Sequence, residues 1–238
     1  MNNKLSFRGA PAVARIARTG RALAVCGFFS VALSGPATAD DFQSWLQFNT
    51  AVELPGRVSV NNDFVARFSE SDGGLYEIEN ATMLGYRLPR KVTLWAGYVH
   101  NPLYDAGDFA VLERRGRQQV SIDDLATIGR ISLSGRLRME QRWREGVEGT
   151  AWRVRPYLKA AIPLGGRPAA TLNISEELFV NLSETDFQSS RLLDRLRTSV
   201  TVSMPVAKGL KLEAGYLNQK RFGGDADHAL TAQVGLAF

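Results

Sequence analysis

The clearest pattern along this chain is an alternation of apolar and polar residues at every second position. Between Ile131 and Arg144, apolar residues such as Leu133 and Leu137 occupy one set of alternating positions, while serine, arginine and glutamate dominate the other. An alternation of period two that lasts fourteen residues is wrong for an amphipathic helix. It predicts a β-strand with one apolar and one polar face.

The same alternation recurs along the chain and predicts up to eleven strands. The weaker candidates are 42–54 and 113–122. A bacterial membrane barrel with its C-terminus in the periplasm normally has an even number of strands. We therefore expect ten strands, if 42–54 does not span, or twelve, if one candidate contains two strands. The remaining candidates are 58–68, 76–88, 92–100, 131–144, 152–162, 170–182, 196–206, 210–221 and 228–238.

These strands are not accompanied by a spanning helix, because no segment after residue 39 approaches the roughly 20 apolar residues that such a helix needs. A closed barrel is the other structure that pairs every backbone N–H and C=O group within a membrane. We interpret residues 40–238 as one all-β domain, a transmembrane antiparallel up-and-down β-barrel of 10 to 12 strands. The alternative is a secreted soluble β-barrel, whose apolar face would point inward.

The connections between the predicted strands alternate between short and long. Pro55-Gly56 and Lys208-Gly209 form tight turns, whereas the segments 69–74, 101–112 and 183–190 are longer or more polar. Short periplasmic turns and longer extracellular loops produce this alternation in outer-membrane barrels.

Aromatic residues near the strand ends predict two girdles at the membrane surfaces. Phe238 is the last residue and ends a strand whose apolar positions alternate from Leu230 onward. This form of closing strand is typical of outer-membrane barrels, so we expect Phe238 to be a membrane-insertion signal for the barrel-assembly machinery. The predicted girdle residues are Phe68, Tyr76, Tyr98, Trp143 and Trp152 beside the loops, with Tyr86 and Phe238 at the opposite end.

Residues 1–39 have the pattern of a secretory signal peptide. A basic stretch precedes an apolar run from Ala22 to Leu33, and Ala37-Thr38-Ala39 offers small residues for cleavage before Asp40. The single cysteine, Cys26, lies within this run. A lipoprotein signal around Cys26 is an alternative, although Val25 is bulkier than the residue such a site prefers. Cleavage before Asp40 leaves a mature chain without cysteine, and therefore without disulfides.

Removal of this leader changes the charge of the chain. The full sequence has a net charge of +5, with 29 Lys and Arg against 24 Asp and Glu, and residues 1–39 contain five of the basic residues and none of the acidic ones. The mature chain is therefore balanced, and its charge gives no reason to expect nucleic-acid binding. We expect it in the outer membrane of a Gram-negative bacterium, surrounded by outer-membrane lipid and lipopolysaccharide.

Several short segments resemble a family of proteobacterial outer-membrane barrels that is known only as a domain of unknown function. They are Trp45 in the first strand, the stretch ERRGRQQ from Glu113, the stretch RLRMEQRW from Arg136 and the stretch GYLNQ from Gly215. The resemblance implies a barrel fold and an outer-membrane location. It implies no activity, substrate, cofactor or catalytic residue.

The polar face of the strands is rich in arginine, and it lines the lumen if the apolar face contacts lipid. Arginine forms two-pronged hydrogen bonds with carboxylates and stays charged at every relevant pH. One interpretation is an arginine–glutamate network that plugs the barrel; the other is a narrow porin-like channel that prefers small anionic solutes. The candidate lumen-lining residues are Arg136, Arg138, Glu140, Arg142, Arg153, Arg155, Lys159, Glu177, Arg195, Arg197 and Glu213.

Catalytic and metal-binding patterns are weak in this sequence. The only histidines are His100 and His228, neither has a serine two residues away, and the sequence contains no Gly-x-Ser-x-Gly motif. Loop carboxylates such as Glu70 and Asp72 are more typical of solvated loops than of a calcium site. We therefore expect a non-catalytic protein without a cofactor or metal. The alternative is a lipid-modifying hydrolase that uses His100 or His228.

Overall fold

The computed structural model describes residues 41–165 and 169–238, so the predicted signal peptide and its cleavage site lie outside the described residues. The described chain forms eleven strands and one short 3-10 helix, Pro89–Lys91. None of its helical residues form a segment that is long and apolar enough to cross a membrane. The strands are β1 (Asp41–Leu54), β2 (Val58–Ser69), β3 (Gly74–Leu88), β4 (Val92–Asp105), β5 (Asp108–Ile128), β6 (Ile131–Arg144), β7 (Ala151–Gly165), β8 (Ala170–Asn181), β9 (Leu193–Ala207), β10 (Leu210–Arg221) and β11 (Ala226–Ala237).

The eleven strands close into a barrel in which neighbours in sequence are neighbours in the sheet. These consecutive pairs are antiparallel, whereas β1 and β11 pair in parallel, from Asp41–Asp227 to Ala51–Ala237. An odd number of alternating strands leaves the first and the last running in the same direction, so they can join only through a parallel pair. The expectation of ten or twelve strands is therefore wrong. Segment 42–54 is a full strand, and each candidate corresponds to one strand.

The two ends of the barrel have different connections. The odd-numbered strands all finish at one end, here named the turn end, whereas Asp41 and the connections after the even-numbered strands lie at the opposite loop end. The segment 101–112, expected to be a long loop, instead extends β4 and β5 into a paired hairpin. Ala106 and Gly107 close this hairpin with φ angles of 49° and 87°. Positive φ at both central residues matches the twist of the flanking strands and permits a two-residue turn.

The alternation directs apolar side chains outward and polar side chains into the lumen. On β6, Leu137 is 53% exposed on the outer wall, while Arg138 and Glu140 are buried inside. Exposed apolar side chains recur around the barrel, for example Leu84 on β3 and Leu230 on β11. The interior of this barrel is therefore polar, and most of its apolar surface faces outward.

A β-bulge between β2 and β3 changes the direction of one predicted girdle residue. The register steps from Arg67–Glu77 to Phe68–Leu75, which leaves Tyr76 as the extra residue. The assignment of Tyr76 to the outer girdle is wrong, because its hydroxyl donates a hydrogen bond to Gln43 Oε1 in the lumen at 2.8 Å.

Phe238 extends the seam between the first and last strands beyond β11. Its N–H donates to the carbonyl oxygen of Ala51 at 2.9 Å, and its own carbonyl accepts from the N–H of Glu53 at 3.1 Å. The side chain is 72% exposed at the turn end. The last residue therefore takes part in closing the barrel through its backbone and leaves its ring free on the surface.

Candidate functional site in the charged lumen

The loop-side half of the lumen is crossed by arginine and glutamate side chains that alternate around the wall. Because side chains alternate between the two faces of a strand, each of seven strands directs one such side chain into the lumen. We name this set the charge belt. Its members are Arg67 on β2, Glu79 on β3, Arg117 on β5, Glu140 on β6, Arg155 on β7, Glu177 on β8 and Arg197 on β9.

The first part of the belt spans β2 to β6. Glu79 accepts from Arg67 at 3.3 Å and from Arg117 at 2.8 Å, and Arg117 also contacts Glu140 at 2.8 Å. The contact between Glu79 and Arg117 passes over β4, whose inward face carries Gly97 at this level. A Cβ atom on Gly97 would lie 2.1 Å from the backbone oxygen of a β3 residue. Only glycine therefore fits at this position, and the long arginine reaches past β4 to a strand about 10 Å away.

The second part of the belt runs from β6 to β9. Arg155 contacts Glu140 at 3.1 Å and Glu177 at 2.6 Å, and Arg197 lies 3.6 Å from Glu177. Trp45 on β1 closes the gap between the two ends, because the guanidinium groups of Arg67 and Arg197 lie 4.5 Å and 4.6 Å from its ring centre. Cations stack favourably on the face of an indole ring. The belt and Trp45 together form a closed circuit inside the barrel.

The carboxylates of the belt are deeply buried. Glu140 has no exposed surface, Arg117 is 1% exposed, and Arg153 from β7 adds a further contact to Glu140 at 2.6 Å. Desolvation of such groups offsets much of their attraction, so buried ion pairs give little net stability over apolar packing. Removal of one partner is costly, however, because the others remain buried and charged.

A second layer of charge lies between the belt and the loop end. Glu113 on β5, which has no exposed surface, contacts Arg115 at 2.7 Å, Arg142 at 2.9 Å and Arg144 at 3.0 Å. Arg115 also reaches back to Glu79 at 3.1 Å. This layer thickens the belt on the side of the lumen formed by β5 and β6.

The connection between β8 and β9 folds over this second layer. Gln188 is 5% exposed; its Oε1 accepts from Arg142 at 3.1 Å, and its amide nitrogen donates to the carbonyl oxygens of Ser183 and Trp152 at 2.7 Å and 2.9 Å. Phe187 presents its ring to Arg144 at 4.6 Å. The loop therefore caps one side of the lumen with specific contacts.

An aromatic ring separates the arginines where they are most crowded. Phe179 on β8 is 2% exposed and points into the lumen. The guanidinium groups of four arginines lie 4.3 to 5.5 Å from its ring centre: Arg153, Arg155, Arg195 and Arg197. Cation–π contacts of this kind place like charges close together around a shared negative face.

Two open spaces remain in the lumen. A loop-end chamber of about 380 Å³ is lined by residues from β1, β2, β3, β9, β10 and β11, and a turn-end chamber of about 390 Å³ lies on the other side of the belt. Trp45, Arg67 and Arg197 line both chambers. The stack of these three side chains is therefore the partition between the two spaces.

The comparisons with known proteins concern this same barrel segment. A protein-family model described as a protein of unknown function, DUF2490, matches residues 42–228, which is most of the chain. The chain belongs to the DUF2490 family. The expected membership of a family of unknown function is thereby confirmed. An uncharacterized protein of Methylorubrum extorquens is similar to it, with 26% identity over 218 residues that cover 88% of this chain and 93% of the relative.

In this DUF2490 protein, the predicted lumen residues take different positions. Arg136, which contacts Glu177 at 2.5 Å, joins the belt from the turn side, and Arg195 pairs with its neighbour Asp194 at 2.6 Å beside the loop-end chamber. Glu213 does not join the network, because it accepts from Thr201 Oγ1 at 2.6 Å and contacts Lys211 at 3.3 Å. Those in contact within the belt or its second layer are Arg136, Glu140, Arg142, Arg153, Arg155, Glu177 and Arg197, while Arg138, Lys159 and Glu213 line the turn-end chamber.

Sequence reasoning missed the part of the DUF2490 network that β5 contributes. Glu113, Arg115 and Arg117 occupy alternate positions and all point inward, so a strict period of two was present. The outward residues next to them include Arg114 and Gln118, however, so the strand lacks an apolar face that would mark the other face as the lumen. Trp45 was singled out only through the family resemblance. Its burial between two arginines could not be predicted from the sequence of its own strand, because both arginines belong to other strands.

The two histidines of the DUF2490 protein lie on the outer wall. His100 is exposed on β4, and Nδ1 of His228 on β11 is hydrogen-bonded to the hydroxyl of Tyr216. Within the described ranges, neither imidazole is hydrogen-bonded to a serine hydroxyl or a carboxylate. Among the same residues, no group of three or more His, Cys, Asp or Glu side chains is placed to hold a metal ion.

Proposed function

We propose that this DUF2490 protein is a non-catalytic outer-membrane β-barrel of a Gram-negative bacterium, with a closed lumen and a structural role in the envelope. The apolar outer wall supports the membrane location. Leu84, Leu137 and Leu230 are each more than half exposed, at 57%, 53% and 54%. A soluble barrel would turn such residues inward, whereas lipid and lipopolysaccharide would cover them here.

The charge belt is the observation that supports a closed lumen. It forms a circuit around the interior, and Trp45 completes the circuit between Arg67 and Arg197. In this proposal, the side chains of the circuit fill the space through which a solute would pass. Their mutual hydrogen bonds resist displacement, because opening the lumen would leave buried charges without partners.

A narrow anion-preferring channel is the second candidate. It is favoured by the turn-end chamber, whose wall carries seven cationic side chains against four carboxylates. A surplus of positive charge in a narrow pore attracts anions and repels cations. In this case the partition formed by Trp45, Arg67 and Arg197 would act as a gate.

Single-channel conductance in a planar bilayer distinguishes the candidates. We expect the purified wild-type protein to be silent and Trp45→Ala to conduct, with a preference for anions, because the substitution removes the partition. Trp95→Ala is the matched control, since Trp95 points inward on β4 near the turn end and donates from Nε1 to Ser121 at 2.7 Å, away from the belt. This control should stay silent.

Other outcomes of the conductance experiment reject the proposal. A wild-type protein that conducts anions supports the channel. A silent wild-type protein that hydrolyses lipid, with activity lost on replacement of His100 or His228, supports the hydrolase. Each variant is used only if it keeps the heat-modifiable gel migration of a folded barrel.

The membrane location has its own test. We expect the protein in the outer-membrane fraction, and deletion of Phe238 should reduce the amount of assembled barrel if the barrel-assembly machinery reads this residue. Phe109→Ala is the control, because Phe109 is 60% exposed at the loop end and does not take part in closure. Recovery of the intact protein from the soluble periplasm would contradict the location.

A further inference from the structure

The turn-end chamber contains positive charge that its own wall does not neutralise. Six arginines and Lys159 line it, whereas its carboxylates are Asp63, Glu79, Glu177 and Glu213. Glu79 and Glu177 are each already shared by three arginines. Glu213 and Asp63 bond to Thr201 and Asn49 on the far side of the chamber.

Arg138 lies at the centre of this imbalance. It is 7% exposed and lines the chamber from β6. Its Nε donates to Gln119 Oε1 at 2.9 Å, and among the described residues no carboxylate lies within ion-pair distance of it. Burying a guanidinium without a counter-charge is unfavourable, and an anion in the chamber would offset this cost.

Neighbouring arginines also carry buried donors that lack a partner among the described residues. Within the described ranges, the Nε groups of Arg136, Arg155 and Arg197 are buried and have no hydrogen-bond partner. All three side chains line the same chamber as Arg138. The site is therefore rich in donors and poor in acceptors, and this is an observation independent of the charge count.

We propose that the turn-end chamber binds a small, multiply charged oxyanion of the phosphate class, with Arg138 as its principal ligand. Phosphate carries several acceptor oxygens, and arginine recognises two of them at once through its planar fork. Gln119 holds the guanidinium of Arg138 by its Nε and leaves the two terminal nitrogens for the anion. Chloride offers neither the charge nor the geometry to satisfy several forked donors.

Free phosphate and the phosphate group of a larger solute share this chemistry. The chamber of about 390 Å³ is large enough for either inorganic phosphate or a small phosphate ester. Inorganic phosphate and glycerol 3-phosphate are therefore titrated in parallel. Tighter binding of the ester identifies an organic phosphate as the natural occupant, and equal or tighter binding of inorganic phosphate identifies the free anion.

The test is a calorimetric titration of the folded barrel in detergent at constant ionic strength in sodium chloride. We expect saturable binding of inorganic phosphate that sulfate competes away. Arg138→Gln should weaken it by about tenfold or more, since a charge-assisted pair of hydrogen bonds is lost. Arg87→Gln is the matched control and should bind as the wild type does, because Arg87 is 57% exposed and pairs with Glu53 outside the chamber.

Three results would overturn the proposal: no saturable binding by the wild type, unchanged binding by Arg138→Gln, or an equal loss in Arg87→Gln. If Arg138→Gln does not fold, Gln119→Leu and Lys159→Gln take its place. Gln119→Leu removes the acceptor that orients Arg138, and Lys159→Gln removes a cation of the chamber wall. Wild-type affinity in both would equally reject the site.

The test of this binding site is independent of the test of the closed lumen, because binding is measured in detergent and conductance is measured across a bilayer. A barrel that conducts and still loses phosphate on replacement of Arg138 rejects the closed lumen and keeps the site. A barrel that does not conduct and does not bind phosphate supports the closed lumen and rejects the binding site.

Discussion

In the loop-side half of the lumen, five glutamates contact nine arginines, whereas in the turn-side half serine, threonine and asparagine side chains line much of the wall. In the loop-side half, here named the filled half, long charged side chains meet across the lumen, and the loop-end chamber of about 380 Å³ remains beside β1, β10 and β11. In the turn-side half, here named the open half, short neutral side chains such as Ser199 and Thr201 reach only part of the way and leave the turn-end chamber.

The difference shows that the packing of the lumen changes along the axis of this barrel. Both halves belong to the same strands and have the same alternation, so the difference between them comes from the types of residue that point inward. On β7, Arg153 and Arg155 lie in the filled half and Lys159 in the open half, only a few residues along the same face. A crowded segment and an open segment of the lumen therefore occur within one small barrel.

The largest expected effect comes from removing a central carboxylate of the filled half. Glu140→Gln keeps the shape of the side chain but leaves Arg117, Arg153 and Arg155 buried without their shared counter-charge. We expect a loss of about 3–5 kcal/mol in the free energy of unfolding. Urea unfolding in lipid vesicles, followed by tryptophan fluorescence, measures it.

Glu213→Gln is the matched change in the open half. Glu213 accepts a hydrogen bond from Thr201 and makes no contact with the belt, and the new amide can still accept that bond. The expected loss is below about 1 kcal/mol, within the range of an isolated hydrogen bond. Equal losses in both variants would mean that the two halves do not differ energetically.

A pair of substitutions on one strand sharpens the comparison. Arg153→Gln removes a contact of 2.6 Å to Glu140, while the other partners of Glu140 remain, so we expect a loss of about 1–3 kcal/mol. Lys159→Gln removes a cation that has no carboxylate partner among the described residues, and stability should change by at most about 0.5 kcal/mol. The same urea titration applies. A larger loss of unfolding free energy in Lys159→Gln than in Arg153→Gln would contradict the assignment of Arg153 to the filled half and Lys159 to the open half.

A further comparison concerns the cap over the filled half, where we expect a smaller effect than that of Glu140→Gln. Gln188→Ala removes three hydrogen bonds at the surface of the barrel, and we expect a loss of about 1–2 kcal/mol together with faster proteolysis of the connection between β8 and β9. Ser190→Ala lies in the same connection and should leave the rate of cleavage unchanged. Equal protection in the two variants would show that Gln188 does not hold the cap.

The sequence predicts much of this fold because most strands have one clearly apolar face. The bounds of β6 coincide with the alternation from Ile131 to Arg144. The odd number of strands was not predictable in the same way, since the pairing of β1 with β11 depends on how the sheet closes in space. The inward turn of Tyr76 depends on a bulge of one residue, which flips a side chain without altering composition.

The candidate site was predictable in its residue types but not in its partners. Alternation on β6 and β7 identifies Arg138, Glu140 and Arg155 as residues of one face. It does not reveal that Glu140 is shared with Arg117, because β5 has polar residues on both faces. It also does not reveal that Glu79 meets Arg117 across β4, since this contact joins strands that are not neighbours in the sheet.

The odd number of strands gives the polypeptide a direction through the barrel. The chain begins β1 with Asp41 at one rim and finishes with Phe238 at the other, whereas an even-stranded barrel returns both ends to the same rim. In a membrane, proteins fused before Asp41 and after Phe238 would be displayed in different compartments, so one molecule would tether the two sides.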